Sequence, residues 1–161
     1  MSYETALICR NGHVITTGLE SSPEKYAKYC DRCGEATISE CPNCHTKIRG
    51  YHRTEGIALI VVGGYEIPKF CHECGKPYPW TERKMDEVYK LIDENKKLNP
   101  SEKEVLKKLI WEIVIESPKK DLAIEEVKRP LQKMGDEPVK LLKSLLIDLL
   151  SEVVKRQLFP T

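Results

Sequence analysis

Eight residues in the first half of the chain have the types and spacings of metal ligands. All seven cysteines of the 161-residue sequence lie between positions 9 and 74. Three motifs have the Cys-x-x-Cys spacing, and one more reads Cys-Arg-Asn-Gly-His. The ligand candidates are Cys9, His13, Cys30, Cys33, Cys41, Cys44, Cys71 and Cys74. Four thiolate or imidazole ligands are the typical shell of structural zinc. The pattern therefore predicts two closed sites, each holding one structural Zn2+.

The sequence leaves open which motifs share an ion. Sequential pairing places the first two motifs on one ion and the last two on the other. A hairpin at Gly63-Gly64, with positive φ at both glycines, would return Cys71 toward Cys41 and favours this pairing. A nested arrangement is the main alternative, because only seven residues separate Cys33 from Cys41. A cross-brace is the third arrangement.

The eighth ligand has to be a histidine. His13 has a suitable spacing from Cys9, and it completes an otherwise odd set of seven cysteines. His45 and His72 lie beside ligand cysteines, and we expect both to point to solvent. Either would be the substitute if His13 does not bind a metal. The remaining histidine, His52, is expected in a loop without a special role.

The zinc ions are expected to hold the first part of the chain folded. About 80 residues with short strands and few aromatic residues cannot build a large core. A structural zinc site contributes on the order of 10 kcal/mol, against a net stability of roughly 5–15 kcal/mol for a typical domain. A disulfide framework would leave one cysteine unpaired, so metal ligation explains the cysteine count better.

Short strand-like segments connect the motifs. Residues 14–17 and 57–62 are rich in β-branched or apolar residues and predict strands, with a loop at Gly50. Gly12 supplies a permissive φ at the first turn. Two of the returning turns read aromatic-Cys-x-x-Cys-Gly, and the glycine lets a backbone N–H reach the thiolate. The repetition predicts two zinc ribbons in tandem.

After Trp80 the hydrophobic period changes from 2 to about 3.6 residues, which indicates helices. Residues 76–80 contain two prolines and predict a stiff boundary. We therefore predict a double zinc-ribbon domain over 1–80 and a helical domain over 81–161. The predicted class is α+β, with N-terminal tandem zinc ribbons of short antiparallel strands followed by an all-α bundle of about four helices.

Polar residues mark the helix starts. Thr81 is the predicted N-cap of the first helix, Ser101 and Glu104 form a predicted capping box for the second, and Asp136 is the predicted cap of the fourth. The apolar stripe predicted for the fourth helix consists of Val139, Leu142, Leu146, Leu149, Leu150, Val153 and Leu158. Leu141, Leu145 and Ile147 add a second apolar face, which indicates a central helix or a surface for a partner or a second copy.

Catalysis is not expected. Catalytic zinc keeps an open position with three protein ligands, whereas eight ligands close two sites. The chain has no His-Glu-x-x-His or phosphate-binding motif. Its start has no apolar signal segment, and charged residues interrupt the apolar stretch 139–154, so we expect a cytoplasmic protein that does not cross a membrane.

Binding is the remaining class of function. We favour protein–protein interaction, with the ribbons as a rigid platform and the helices joining partners or copies of the chain. Binding to single-stranded DNA or RNA is the alternative, since cations interleaved with an aromatic ring suit such strands. The candidate basic face consists of Arg10, Lys47, Arg49, Tyr51, His52 and Arg53. Overall charge is only +1, with acidic and basic residues balanced in both halves, which favours the protein partner.

The motifs occur in an order that resembles a known family. The series runs Cys-x-x-Gly-His-Val, Tyr-Cys-x-x-Cys-Gly, Glu-Cys-Pro-Asn-Cys and then Phe-Cys-His-Glu-Cys-Gly-Lys-Pro-Tyr-Pro-Trp-Thr. It is similar to a family of small bacterial proteins that is catalogued as a domain of unknown function. The likeness is close over residues 3–81 and looser in the helices. It implies a prokaryotic source and ribbon-type knuckles at the seven cysteines, and it implies no activity.

Overall fold

The computed structural model describes residues 2–53 and 64–160 and divides the chain into two compact units, Met1–Arg83 and Lys84–Thr161. The first unit contains short antiparallel strands, and the second contains helices. The predicted α+β class, with tandem zinc ribbons followed by helices, is confirmed. The strand predicted over 57–62 and Gly63 of the predicted hairpin turn lie outside the described residues.

The described strands form two small antiparallel sheets. They are β1 (Ser2–Thr5), β2 (Leu7–Cys9), β3 (Val14–Thr16), β4 (Thr37–Ile38) and β5 (Arg49–Arg53). One sheet has the order β3-β2-β4, and the other pairs β1 with β5. The strand predicted over 14–17 corresponds to β3. Pro23–Lys25 forms one turn of 3-10 helix.

The pairing of β1 with β5 joins the start of the chain to the second ribbon. Tyr3 lies opposite His52 in the register, and the backbone N–H of Ala6 donates to the carbonyl of Ile48 at 2.8 Å. The second ribbon is therefore hydrogen-bonded to residues that precede the first metal motif. His52 lies in a strand, so the expectation that it occupies a loop is wrong.

Gly50 lies inside β5, where a loop was predicted. An ideal Cβ at this position would lie 2.0 Å from the carbonyl oxygen of Thr17. The same carbonyl accepts a hydrogen bond of 2.8 Å from the backbone N–H of Tyr51. The glycine therefore allows two backbone segments to approach closely, and it does not serve a reversing loop.

A single hydrophobic cluster holds both ribbons. Its buried members are Ala6, Ile8, Cys41, Ile48, Cys71, Tyr78 and Trp80. The rings of Tyr78 and Trp80 stack with centroids 4.7 Å apart, and the indole N–H of Trp80 donates to the carbonyl of Pro68 at 2.9 Å. The segment predicted as a boundary thus supplies the two largest aromatic side chains of this core.

Five helices follow. They are α1 (Pro79–Glu94), α2 (Pro100–Val114), α3 (Lys120–Met134), α4 (Asp136–Leu146) and α5 (Glu152–Leu158). Their buried residues form one core, which includes Met85, Val88, Ile92, Leu106, Ile110, Ile113, Val127, Met134, Leu142, Leu146, Val154 and Leu158. Among residues 2–53 and 64–160, no helix has the length and hydrophobicity needed to cross a membrane.

Two helices start earlier than their polar residues indicated. α1 begins at Pro79, and the hydroxyl of Thr81 donates to the carbonyl of Lys69 at 2.9 Å instead of capping the helix. In α2 the capping box is formed by Asn99 and Glu102, two residues before the predicted Ser101 and Glu104. The fixed φ of Pro100 suits the first helical position, which places the cap at the residue before it.

The last predicted helix is divided in two. Residues 147–151 separate α4 from α5, so the helical phase restarts at Ser151. Val154 is consequently buried, whereas Val153, predicted for the core, is 62% exposed. Asp136 is the first residue of α4, and Gly135 with a φ of 94° occupies the cap position.

We predict that Gly50→Ala lowers the free energy of unfolding by about 2 kcal/mol or more, because the methyl group would collide with a backbone carbonyl. Denaturant titration of the zinc-loaded chain measures the change. Gly64→Ala is the matched control, since no atom of the described residues lies within 4 Å of its ideal Cβ, and a change within about 0.5 kcal/mol is expected there. Equal stability of Gly50→Ala and the wild type would contradict the close approach.

Candidate metal centres

The eight candidate ligands form two clusters of four. One contains Cys9, His13, Cys30 and Cys33, and the other contains Cys41, Cys44, Cys71 and Cys74. Within each cluster the donor atoms all lie within 4.8 Å of one another, so each could hold a metal ion. The grouping is that of sequential pairing, and the nested and cross-brace arrangements do not occur.

Distances within the clusters suit a shared ion and exclude disulfides. In the first cluster the Sγ atoms of Cys9 and Cys33 are 3.8 Å apart, and Nδ1 of His13 lies 3.5 Å from Cys9 Sγ and 3.6 Å from Cys30 Sγ. In the second cluster the closest sulfur pairs are 3.7 Å and 3.6 Å apart. A disulfide requires about 2.05 Å between sulfurs. The imidazole therefore presents Nδ1 to the cluster.

The three Cys-x-x-Cys turns share one backbone geometry. In each, the N–H of the first cysteine donates to the carbonyl five residues later, at 2.8 Å. An isolated antiparallel bridge closes the base of each turn. These bridges are Tyr29 with Ala36, Glu40 with Lys47, and Phe70 with Pro77. The bridges fix the two arms of each turn, which orients both sulfurs toward the same point.

The residue after the second cysteine has a left-handed conformation in all three turns. Gly34 and Gly75 have φ values of 72° and 70°, and their N–H groups donate to the carbonyls of Cys30 and Cys71. His45 holds the same position after Cys44 with a φ of 60°. A side chain is disfavoured in this region, so His45 carries backbone strain that the two glycines avoid.

The Cys9–His13 turn is one residue shorter. The N–H of Cys9 donates to the carbonyl of His13 at 2.9 Å, and Gly12 has a φ of 89°. The permissive φ predicted at Gly12 is thus present. A Cβ on this glycine would also lie 3.1 Å from Cβ of Trp80. Glycine is required here for the turn and for its packing on the aromatic core.

Backbone N–H groups converge on the sulfurs. The N–H of Glu35 hydrogen-bonds the Cys33 thiol and lowers its pKa to about 6. Burial raises the pKa of Cys41 to about 11, although the N–H groups of Asn43 and Cys44 act in the opposite direction. Hydrogen bonds to a thiolate favour the charged form, which is the form that binds a metal.

The first cluster is more open than the second. Cys33 is exposed, whereas Cys44 and Cys74 are half-buried. The side chain of Asn11 donates to Cys33 Sγ at 3.5 Å and accepts from Arg83, which also pairs with Glu35 at 2.8 Å. A hydrogen-bonded chain of surface residues therefore borders the exposed ligand.

The other histidines are not among the clustered donors. His45 and His72 are exposed, as expected, and neither joins a cluster of candidate ligands. The basic face predicted around Tyr51 is partly neutralised. Lys47 pairs with Glu20 at 3.4 Å, and the guanidinium of Arg49 lies 4.8 Å from the ring centroid of Tyr3.

Tyr78 is a residue near the second cluster that the sequence analysis did not single out. It is 1% exposed, and burial together with the adjacent Cys71 thiol raises its pKa above the ordinary value. Its position four residues after Cys74, in an aromatic- and proline-rich segment, was the available signal. The ring lies in the same buried cluster as Cys41 and Cys71.

Fold and site together define a class: a protein with two four-ligand clusters on tandem ribbons, followed by helices. A family model described as "uncharacterized protein conserved in bacteria (DUF2321)" matches residues 2–158. The chain belongs to this family. The predicted resemblance to an uncharacterised bacterial family is thereby confirmed. No curated protein matches the chain, and no solved structure matches it.

We predict that His45→Gly raises the free energy of unfolding by up to about 1 kcal/mol, because it removes left-handed strain from the third turn. Zinc content should not change, since His45 is outside both clusters. Gly34→Ala is the matched opposite change. No atom of the part of the chain that the structure describes lies within 4 Å of its ideal Cβ, so its φ of 72° is what opposes the methyl group, and a loss of similar size is expected. Thermal unfolding of the zinc-loaded variants measures both. A less stable His45→Gly, or one with less zinc, would refute this assignment.

Proposed function

We propose that the protein is a non-catalytic zinc-binding protein of the cytoplasm, in which two structural zinc sites form a rigid platform for protein–protein interaction. Its helices join partners or further copies of the chain. The observation that carries this proposal is the convergence of eight donor atoms into two tetrads.

The donor distances favour zinc as the metal. Tetrahedral zinc, with bonds of about 2.3 Å to sulfur and about 2.0–2.1 Å to nitrogen, places two sulfurs about 3.8 Å apart and a sulfur and a nitrogen about 3.6 Å apart. Here three sulfur pairs are 3.6–3.8 Å apart, Nδ1 of His13 lies 3.5–3.6 Å from two sulfurs, and all donors of a cluster lie within 4.8 Å of one another. Iron also accepts four thiolates, so the metal analysis below compares the two.

A structural role follows from the place of the ligands in the core. Cys41 and Cys71 are 2% exposed and belong to the same buried cluster as Tyr78 and Trp80. An ion bound here would cross-link the centre of the unit. Structural zinc binding contributes on the order of 10 kcal/mol to the free energy of unfolding. Removing the zinc would therefore cost more stability than the small apolar cluster provides.

Closed ligand shells support a non-catalytic role. Catalytic zinc retains a position for water or substrate, usually beside three protein ligands. Each tetrad here offers four ligands from the chain itself. The cysteines are committed as ligands, which leaves no free thiol nucleophile in the sequence.

Exposed apolar side chains in the helical unit support the interaction role. Leu141 on α4 is 57% exposed, Ile147 after it is 41% exposed, and Val153 on α5 is 62% exposed. The first two belong to the second apolar face predicted for the last helix. Large apolar side chains on a surface are common, and several on neighbouring elements indicate a contact area for another protein.

A second candidate function is binding to single-stranded nucleic acid. It is favoured by β5, which carries Arg49, Tyr51 and Arg53, beside the half-exposed ring of Tyr3. Exposed aromatic rings next to cations suit stacking of unpaired bases. The ion pair of Lys47 and the balanced charge of the chain favour the protein partner instead.

Metal analysis tests the zinc proposal. We expect about two zinc ions per chain and no iron, and about one zinc after His13→Ala or Cys44→Ser. Exhaustive chelation should unfold the first unit, while the helical signal in circular dichroism largely persists because the helical core contains none of the eight donors. His72→Ala is the control for His13→Ala, since its exposed ring is outside the clusters. A first unit that stays folded after complete metal removal would refute the structural role.

Capture of partners tests the interaction proposal. Immobilised zinc-loaded protein should retain specific proteins from lysate of its bacterial host, and retention should survive nuclease treatment. A labelled oligothymidine should show no salt-dependent binding, because too few free cations lie on β5. Binding that requires nucleic acid and is weakened by Arg49→Ala with Arg53→Ala would replace the proposal with the second candidate.

A further inference from the structure

A groove of about 400 Å3 lies in the helical unit, at the end of α4 and along α5. Its lining residues are Lys143, Ile147, Lys155, Arg156, Phe159 and Pro160. Three of the six are cationic, three are apolar and none is acidic. The groove therefore combines three apolar side chains, called its floor here, with three cationic ones, called its rim.

The cations of the rim are incompletely neutralised. Lys155 pairs with Glu152 at 2.6 Å, and the same carboxylate also feels the charge of Arg156. Within the described part of the chain Lys143 makes no ion pair, and its ammonium group lies 5.7 Å from the ring centroid of Phe159. Within the described residues Glu152 pairs with one cation of the groove, and the lining itself holds three cations and no acidic residue, so the rim keeps a positive charge.

The walls of the groove are held in place by the helical core. Val154 and Leu158 are buried on the inner side of α5, which directs Lys155 and Arg156 outward. Phe159 packs partly against the same core. The groove is thus formed before anything binds, and an incoming ligand need not order it.

We infer that this groove binds an acidic segment of a partner protein, with one large apolar side chain seated on Ile147 and Phe159 and flanking carboxylates on Lys143 and Arg156. The inference rests on the proposed interaction function and names the chemistry of its partner. Interfaces of this kind are anchored by a buried apolar side chain, and charged rims select the partner and speed association. A phosphate backbone would make no use of the apolar floor.

The test uses the full-length, zinc-loaded chain and a fluorescein-labelled peptide in which glutamates flank a central leucine and phenylalanine. We expect saturable binding by fluorescence anisotropy, weakened by added salt. Binding should weaken about tenfold or more when Lys143→Glu and Arg156→Glu are combined. A peptide with glutamines in place of the glutamates, and one with serines in place of leucine and phenylalanine, should both bind at least about tenfold more weakly.

Each groove variant has a matched control outside the groove. Lys140→Glu reverses a charge on the same helix, and Leu122→Asn removes an exposed apolar side chain of α3 that does not line the groove. Both should bind the peptide within about twofold of the wild type. Ile147→Asn should lose binding about tenfold, since Ile147 lies on the floor. Circular dichroism and zinc content establish that each variant remains folded.

The outcomes separate this inference from the proposed function. Absent peptide binding, or equal loss in Lys140→Glu and the double variant, overturns the groove assignment. Tighter binding of dodecanoate than of the peptide would reassign the groove to a free anionic amphiphile, and peptide-independent dimerisation abolished by Ile147→Asn would reassign it to a second copy. If host proteins are still captured by the double variant, the platform function stands and the groove assignment fails. If the chain binds no zinc but still binds the peptide, the groove assignment stands and the zinc platform fails.

Discussion

The convergence of four donor atoms at each of two points is the constraint on which the first unit depends. Three turns repeat one hydrogen-bonding pattern, with the first cysteine N–H bonded to a carbonyl five residues later and a bridge at the base. Because the backbone hydrogen bonds orient the cysteine side chains, few packing contacts are needed to position the sulfurs. This explains how strands of two to five residues can form a defined unit. The apolar cluster then has only to fill the space beside the sulfurs.

The two units are stabilised in different ways. In the first, thiol ligands, two stacked aromatic rings and a few aliphatic side chains share one small core. In the second, aliphatic side chains from five helices pack together without any metal donor. One buried polar contact joins two helices of this unit. The side chain of Asn95 donates to the carbonyl of Met134 at 3.3 Å and links the ends of α1 and α3. Redox or metal stress would therefore act on one unit and spare the core of the other.

Features that depend on local spacing could be predicted from the sequence, and features that depend on distant backbone contacts could not. The ligand motifs are local, so the eight candidates and the ribbon class followed from spacing alone. The β1–β5 pairing joins residues about 50 positions apart and has no local signature, and for the same reason Gly50 was assigned to a loop. The helix start at Asn99 was missed because two capping patterns overlap within two residues. Val153 was predicted to be buried in place of Val154, because periodicity alone does not reveal a break after α4.

Strand β1 pairs with a strand that is synthesised about 50 residues later. As the chain leaves the ribosome, Ser2–Thr5 emerges about 50 residues before its hydrogen-bonding partners in Arg49–Arg53. Tyr78 and Trp80, whose rings stack in the core, emerge later still. Strand β1 therefore has no partner strand until the second ribbon has been synthesised. Truncation between the two ribbons would leave β1 without its partner strand and the remaining core without Tyr78 and Trp80.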